Sequence, residues 1–312
     1  KVYTLTDLQN YQPKNEQEQR TAGILMQVYS MGQAVPEAIA DLQEGVKYYS
    51  EQLKYNLNVD FDGRAPVGDN PYDFNDNRYG NGNPAAIDPQ ESHGSHVAGI
   101  IAATRNNKKG VDGVAKNVQI MSVRAVPNGD EYDKDIAQAI RYAADNGAKV
   151  INASFGKGFS PNSEWVYDAL KYAASKDVLF VHAAGNDGID LDSPENPNFP
   201  NDHPATKSQE IEDNYLTVGA LTPVYGADLV AVFSNYGKEY VDIFAPGGQI
   251  YSTMPDDSYE FQDGTSMAAP AVTGLAAMIR SYFPSLTAAQ VKKVILDSGI
   301  SPNLKVQVGG PE

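Results

Sequence analysis

An α/β fold, with a mainly parallel sheet covered by helices on both faces, is what this sequence predicts, and three observations predict it. Apolar runs short enough for buried strands recur at VQIMSVRAV (118–126), KVINASF (149–155) and VLFVHAAG (178–185). Between and after them lie stretches with apolar residues at helical spacing, 133–146 and 163–175. No internal repeat and no second core interrupt the alternation. Strands separated by helices of this length form βαβ units, and those units build parallel sheets.

Each element has its own warrant. In 133–146, Ile136, Ile140 and Ala143 share one face; in 163–175, Val166, Leu170 and Ala173 do the same. Upstream, residues 1–57 are polar and helical in pattern. Within them, 37–53 carries Ile39, Leu42, Val46, Tyr49 and Leu53 at helical spacing, with Pro36 suited to a helix start. From 60 to 84 the composition turns to Asp, Asn, Gly and Pro, which is loop chemistry. The expected organisation is a helical extension or insert over 1–57 and one larger domain over 58–312.

Bulk composition excludes several functions. With 24 basic and 40 acidic residues the net charge is −16, so phosphate backbones and anionic membranes are repelled and no nucleic-acid partner is expected. The absence of cysteine excludes disulfides, thiolate metal sites and cysteine nucleophiles. No apolar run reaches the roughly 18 residues that span a bilayer, so no membrane span is expected. The first 20 residues carry no signal-peptide pattern.

Chemistry concentrates in three segments. Of the four histidines, His182 sits in an apolar strand and His203 in a polar loop, where packing or surface roles are expected. His93 and His96 belong to SHGSHVAGIIAATR, in which small residues lead into an apolar helix. A zinc site from this His-x-x-His lacks the glutamate and third ligand it needs, so no metal is assigned to it. Ser266, in DGTSMAAPAVTGLAAMIR, follows a Gly264-Thr265 turn at the start of a helix. Serine there can be a simple N-cap. The same position also offers unpaired N–H groups and a positive dipole end, which stabilise a developing oxyanion. Pro270, four residues on, implies a packing constraint close to the serine. In HAAGNDG (182–188) a strand ends at Gly185-Asn186, where Asn186 serves either a turn or donation to an oxyanion. The histidine precedes the serine and G-x-S-x-G is absent, which argues against an α/β-hydrolase.

Together these segments resemble the subtilisin-like serine protease family, the subtilases. HGSHVAGIIAA is similar to the family's histidine motif, GTSMAAPAVTG to its serine motif, and AAGND to the segment bearing its oxyanion asparagine. NASFGKG (152–158) resembles the substrate-binding strand; FSNYG (233–237) and FAPGGQIYSTMP (244–255) resemble later core segments. The likeness covers about residues 85–300. It implies a three-layer α/β/α fold and a serine endopeptidase in which Ser266 attacks, His93 is general base, and Asn186 with the Ser266 N–H holds the oxyanion. It further implies that the backbone of Ser154, Phe155 and Gly156 pairs with an extended peptide or protein substrate. A secreted or cell-envelope location, in a bacterium, and no cofactor for the chemistry are also implied.

One family feature is not found. The aspartate strand, roughly V-x-D-[ST]-G, is absent upstream of His93. Asp60, 33 residues before His93 (60 to 93), is the nearest candidate, with Asp62 beside it. The account preferred from sequence is that the aspartate lies on an upstream segment outside this chain, with 1–57 an insert following it. A non-catalytic or very weakly active peptide-binding pseudoprotease is the alternative reading. Asp60, Asp62, Asp69, Asp73 and Asp76 crowd one stretch, where a structural calcium ion or a solvated loop of Asx-turns would each fit.

Overall fold

The computed structural model describes residues 4–30, 35–85, 91–126, 128, 129, 131–204 and 210–309. The chain divides into two compact units, 1–63 with 128–130, and 64–127 with 131–312.

The first unit is helical. Helix α1 (Leu5–Gln9) opens with a capping box in which Thr4 Oγ1 accepts from Asp7 N–H while the Asp7 carboxylate accepts from Thr4 N–H. It is followed by α2 (Glu16–Ser30) and α3 (Val35–Glu51), whose last turn widens into a π-helix over Gln52–Asn56. The helix expected over 37–53 is present, yet its apolar stripe lies outward: Ile39, Leu42, Val46, Tyr49 and Leu53 are all exposed.

The second unit has the layered sheet. Strands β1 (Val150–Ala153), β2 (Leu179–Ala183), β3 (Tyr215–Leu221) and β4 (Ile243–Pro246) lie in that order, all parallel. Period-two alternation sends one set of side chains to each face. Leu179, Val181, Leu216 and Val218 pack beneath α7 (Thr265–Tyr282) and α8 (Ala288–Ser298). Phe180 and Tyr215 pack against α5 (Asp133–Asp145) and α6 (Ser163–Ser175). The facing residues expected on those helices, Ile136, Ile140, Ala143, Val166, Leu170 and Ala173, are buried. A hairpin, β5 (Ile250–Met254) with β6 (Ser258–Gln262), and helix α4 (His93–Ala102) complete the unit. Among the described residues no helix is long and apolar enough to cross a membrane.

One expected strand is not formed. Residues 118–126 make no ladder, and Ile120, Met121, Val123 and Val126 are exposed rather than buried. A strand forms when an edge is within hydrogen-bonding reach. Here β1 is the terminal strand of its sheet, and a cavity of about 800 Å³ is lined by both 118–123 and Val150–Asn152. The run has the composition of a strand and no neighbour to pair with.

The acidic loop is held by cations of its own unit. Asp69 accepts hydrogen bonds from Arg64 Nε at 2.8 Å and Lys134 Nζ at 2.7 Å, with both carboxylate and ammonium out of solvent. Burial pushes the Asp69 carboxyl up, but its bonds and charge attraction with Arg64 and Lys134 outweigh that and hold it below the ordinary carboxylate range. Asn70, Asp73, Asn81 and Asn83 each accept from the N–H two residues on, closing Asx-turns. Among the described residues no group of three acidic or histidine side chains could hold a metal ion. The donor set of Asp69 and Asp76 therefore does not fit calcium: Lys134 occupies the position between them, 2.7 and 3.9 Å from their oxygens.

Candidate active site

Ser266 stands in the first turn of α7. Gly264 precedes that turn with φ +152°, a conformation a side chain would strain, and caps the helix by accepting from Met267 N–H at 3.0 Å. The serine is partly accessible, while its neighbours Thr265 and Met267 are buried.

Two contacts tie Ser266 to the segment after β1. Ser154 Oγ donates to the Ser266 carbonyl at 2.9 Å, and Ser266 Oγ makes a long bond, 3.4 Å, to the Ser154 carbonyl. The tie continues inward. Asn152 Nδ2 donates to Ser154 Oγ at 3.0 Å, and Thr273 Oγ1 on α7 donates to Asn152 Oδ1 at 2.9 Å. Sequence reading singled out neither Asn152 nor Thr273; both are polar residues inside otherwise apolar elements, the only signal available.

Asn186 is fixed by Thr265, which sequence reading placed in a turn without linking it to Asn186. Its Oδ1 accepts from Thr265 N–H and from Thr265 Oγ1, both at 2.9 Å. Thr265 Oγ1 in turn accepts from Gly185 N–H at 3.1 Å. With the oxygen end of the amide committed, Nδ2 is directed away from Thr265, and among the described residues it has no hydrogen bond. The turn beneath is shaped by Asn235 of FSNYG, which donates to Ala184 O and accepts from Asp187 and Ile189 N–H. Gly185, at φ +102°, leaves room for it: a Cβ there would lie 2.4 Å from Asn235 Nδ2.

His93 begins α4 and faces solvent, whereas His96 in the same helix is fully buried. Helix α4 packs on α7 through Val97, Ile100, Ile101 and Met267. The protein around the His93 ring disfavours its charged form, so its pKa lies below the ordinary histidine value. His93 is therefore neutral at pH 7, the state a general base needs. Among the described residues of this unit no carboxylate pairs with its ring, and none of the hydrogen bonds there joins it to Ser266. Asp60 belongs to the first unit, is exposed, and donates its N–H to Asn58 Oδ1.

The substrate strand shows the alternation of an edge. The Phe155 carbonyl points inward and accepts from His182 Nε2–H at 2.7 Å. Gly156 is exposed, and its N–H and C=O have no hydrogen bond among the described residues. Beyond it, Lys157 exchanges backbone bonds with Phe199 at 2.9 Å in each direction. His182 thus does more than fill the core: buried and neutral, it orients the segment that carries Gly156.

This geometry has counterparts in known proteins. The subtilase family model matches residues 37–308. A thermophilic serine proteinase of Bacillus sp. (strain AK1) is 40% identical over 248 residues, 78% of this chain and 52% of that protein. The halolysin-like extracellular serine protease Nep of Natrialba magadii is 32% identical, over 85% of this chain and 44% of its own. The chain thus spans about half the length of these relatives. Among solved structures, the S41 psychrophilic protease aligns with a TM-score of 0.59 at 31% identity, covering 70% of this chain and 72% of its own.

Proposed function

The chain belongs to the subtilase family, and from that premise we propose that it is a serine endopeptidase, or the larger part of one, with Ser266 as nucleophile and His93 as general base. The observation that carries this reading is Asn186: its amide oxygen is held by Thr265 beside the helix start that bears Ser266, leaving Nδ2 free to donate. A side chain kept for a turn alone would have no need of that orientation.

The chemistry follows from the arrangement. An extended peptide pairs with the backbone at Ser154 and at the exposed Gly156, with Phe155 between them anchored from behind. Ser266 Oγ attacks the scissile carbonyl carbon and its proton passes to His93. The carbonyl oxygen, now negative, takes hydrogen bonds from Asn186 Nδ2 and the Ser266 N–H at the positive end of α7. Collapse breaks the C–N bond, and His93 returns the proton to the leaving amine. Water then attacks the acyl-serine, giving its proton to His93, and the second collapse returns that proton to Ser266. No cofactor enters any step.

The third member of the triad, in this reading, is an aspartate on an extended segment that lies in the cavity between β1 and 118–123. That cavity is lined by the free edge of β1, by apolar residues of α4 and α5, and by Gly94, the neighbour of His93. A strand rises ~3.3 Å per residue in a slot ~4.8 Å wide and ~10 Å deep, so the cavity holds about five residues. The relatives include a protein named as extracellular, which supports a secreted location here.

That no carboxylate pairs with His93 among the described residues, and that the Ser266 hydroxyl turns toward Ser154, favour a second reading, a peptide-binding protein without turnover. A fluorophosphonate probe separates the two. Labelling that disappears in Ser266→Ala, with unchanged circular dichroism, supports the peptidase; a folded chain that is never labelled, alone or with an added aspartate-bearing strand peptide, supports the second reading.

A further inference from the structure

We propose that His96 is a positioning residue: it bolts the first turn of α4 to the β5–β6 hairpin, and so holds His93 at a fixed offset from Ser266. The proposal rests on the assignment of His93 and Ser266 made above.

His96 is fully buried, yet it is not packed as an apolar residue would be. Its Nε2–H donates to the Glu260 carbonyl of β6 at 3.1 Å. Its Nδ1, close to the Ile250 backbone, has no well-formed hydrogen bond. Burial is the largest influence on the ring and keeps its pKa below the ordinary value, so the group is a neutral donor. A buried histidine with one ring nitrogen unsatisfied costs stability relative to a well-packed apolar side chain. Its presence needs a reason beyond core packing.

That reason is in the backbone around it. Ser252 Oγ on β5 donates to the His96 carbonyl at 2.7 Å, and Thr253 Oγ1 donates to the Ser95 carbonyl at 2.8 Å. Ser252 and Glu260 face each other directly across the hairpin. One cross-strand pair therefore grips His96 at both ends, its ring and its carbonyl. The approach is close: a Cβ at Gly99 would fall 2.2 Å from Thr253 Oγ1 and 2.4 Å from Ser252 Oγ. At Gly99 helix α4 approaches β5 with only the hydroxyls of Ser252 and Thr253 at the contact.

The hairpin also leads to the nucleophile. Strand β6 ends at Gln262, and Gly264 N–H donates to Gly247 O at 2.9 Å just before Thr265 and Ser266. Glu260, which receives the His96 ring, is six residues from Ser266 in sequence. The base-bearing helix and the nucleophile-bearing turn thus share one mount. His93 lies three residues before His96, one helical turn away, and its ring has no hydrogen bond among the described residues; its placement depends on this attachment. A shift of about 1 Å in such a group costs on the order of 100-fold in rate.

The test compares His96→Leu, His96→Gln and Thr253→Val with wild type. The readouts are saturation kinetics of fluorophosphonate labelling and amide exchange at His96 N–H, which bonds Ser92 O at 3.0 Å. Leucine fills the space but cannot donate to Glu260; the glutamine amide can. The expected result is a fall of about 10-fold or more in the maximal labelling rate for His96→Leu, with half-saturation unchanged. His96→Gln should recover most of that loss, and Thr253→Val should lose about 3-fold. Folded His96→Leu with wild-type labelling kinetics would overturn the proposal. If wild type is not labelled at all, the peptidase reading fails and the exchange experiment decides: faster local exchange in His96→Leu, restored by glutamine, upholds the attachment, and equal protection in all variants overturns it.

Discussion

Pro270 has no N–H to close the helical turn onto Ser266, and the Ser266 carbonyl so released accepts the Ser154 hydroxyl at 2.9 Å. An ordinary residue at 270 would bond back to the carbonyl four positions earlier. The proline, unfavourable in a helix interior by about 3 kcal/mol, is tolerated here and leaves an acceptor facing the substrate strand. In Pro270→Ala the new N–H competes for that carbonyl and loosens Ser154. The expected outcome is an unchanged or higher Tm together with labelling of Ser266 slowed about 3- to 10-fold. Calorimetry and probe kinetics on the same sample check both halves.

Thr265 gives the second prediction. Its hydroxyl accepts from Gly185 and donates to Asn186 Oδ1, so it decides which end of the Asn186 amide is free. Thr265→Val keeps the shape and removes both hydroxyl bonds; only the backbone N–H of residue 265 then holds the Asn186 amide, which is less firmly oriented, and the Gly185 N–H is left unpaired. Losing an oxyanion donor outright costs on the order of 10²–10³ in kcat, a magnitude established on a subtilisin and not on this chain. Misorientation should cost less, about 10- to 50-fold in kcat, with KM nearly unchanged. Thr265→Ser, which keeps the hydroxyl, should stay within about 3-fold of wild type.

How far the sequence carried the reading differs from element to element. Helices α5 and α6 were legible because Ile136, Ile140, Val166 and Leu170 repeat at the helical period and all are buried. Strand β2 was legible as a continuous apolar run flanked by a turn. The placement of Ser266 at a helix start followed from the Gly264-Thr265 turn before a run of small residues. What was not legible were relations between distant residues: Thr265 on Asn186, Asn235 under Ala184, Asn152 bridging Thr273 and Ser154. Each is a polar residue with a partner tens of residues away, and no local period announces it. Segment 118–126 misled for a physical reason, since strand composition does not supply a strand partner. In the acidic loop the charge count drew attention to calcium, while Arg64 and Lys134, two ordinary cations in the sequence, take up Asp69.

Those cations lead to a stability prediction. Lys134 Nζ and the Asp69 carboxylate are both without solvent exposure, 2.7 Å apart, and Lys134 also donates to Asn70 O at 2.7 Å. Removing one partner of a buried pair costs about 3–5 kcal/mol when the other charge is left uncompensated; here Arg64 still pairs with Asp69, which lowers the expected cost to about 1–3 kcal/mol. Lys134→Met should destabilise the chain by that order in urea titration. The double variant Lys134→Met with Asp69→Asn should recover a substantial part of it. If the double variant is no better than the single, the loss comes from packing and not from the weakened pairing of the carboxylate.

His182 sets the acid limit of the fold. Its ring is fully buried, and desolvation, only partly opposed by the Phe155 carbonyl, lowers its pKa from 6.5 to about 4. The unfolded chain therefore takes up the proton at a higher pH than the folded one does. The stability contributed by neutral His182 is complete above about pH 6.5 and is lost as pH falls toward 4, an effect of up to ~3 kcal/mol. Protonation would also press charge into the layer formed by Phe180, stacked on the ring, and Tyr215, tilted beside it. His182→Gln keeps a donor for Phe155 O and cannot titrate. At pH 7 the variant should be less stable by about 1–3 kcal/mol, because the flexible amide packs less well than the ring. Between pH 6.5 and 4 its Tm should fall less steeply than that of wild type, so that the gap narrows with acid. Parallel Tm slopes for the two proteins would show that the acid sensitivity resides elsewhere, and that His182 orients Phe155 without acting as the acid-sensitive group.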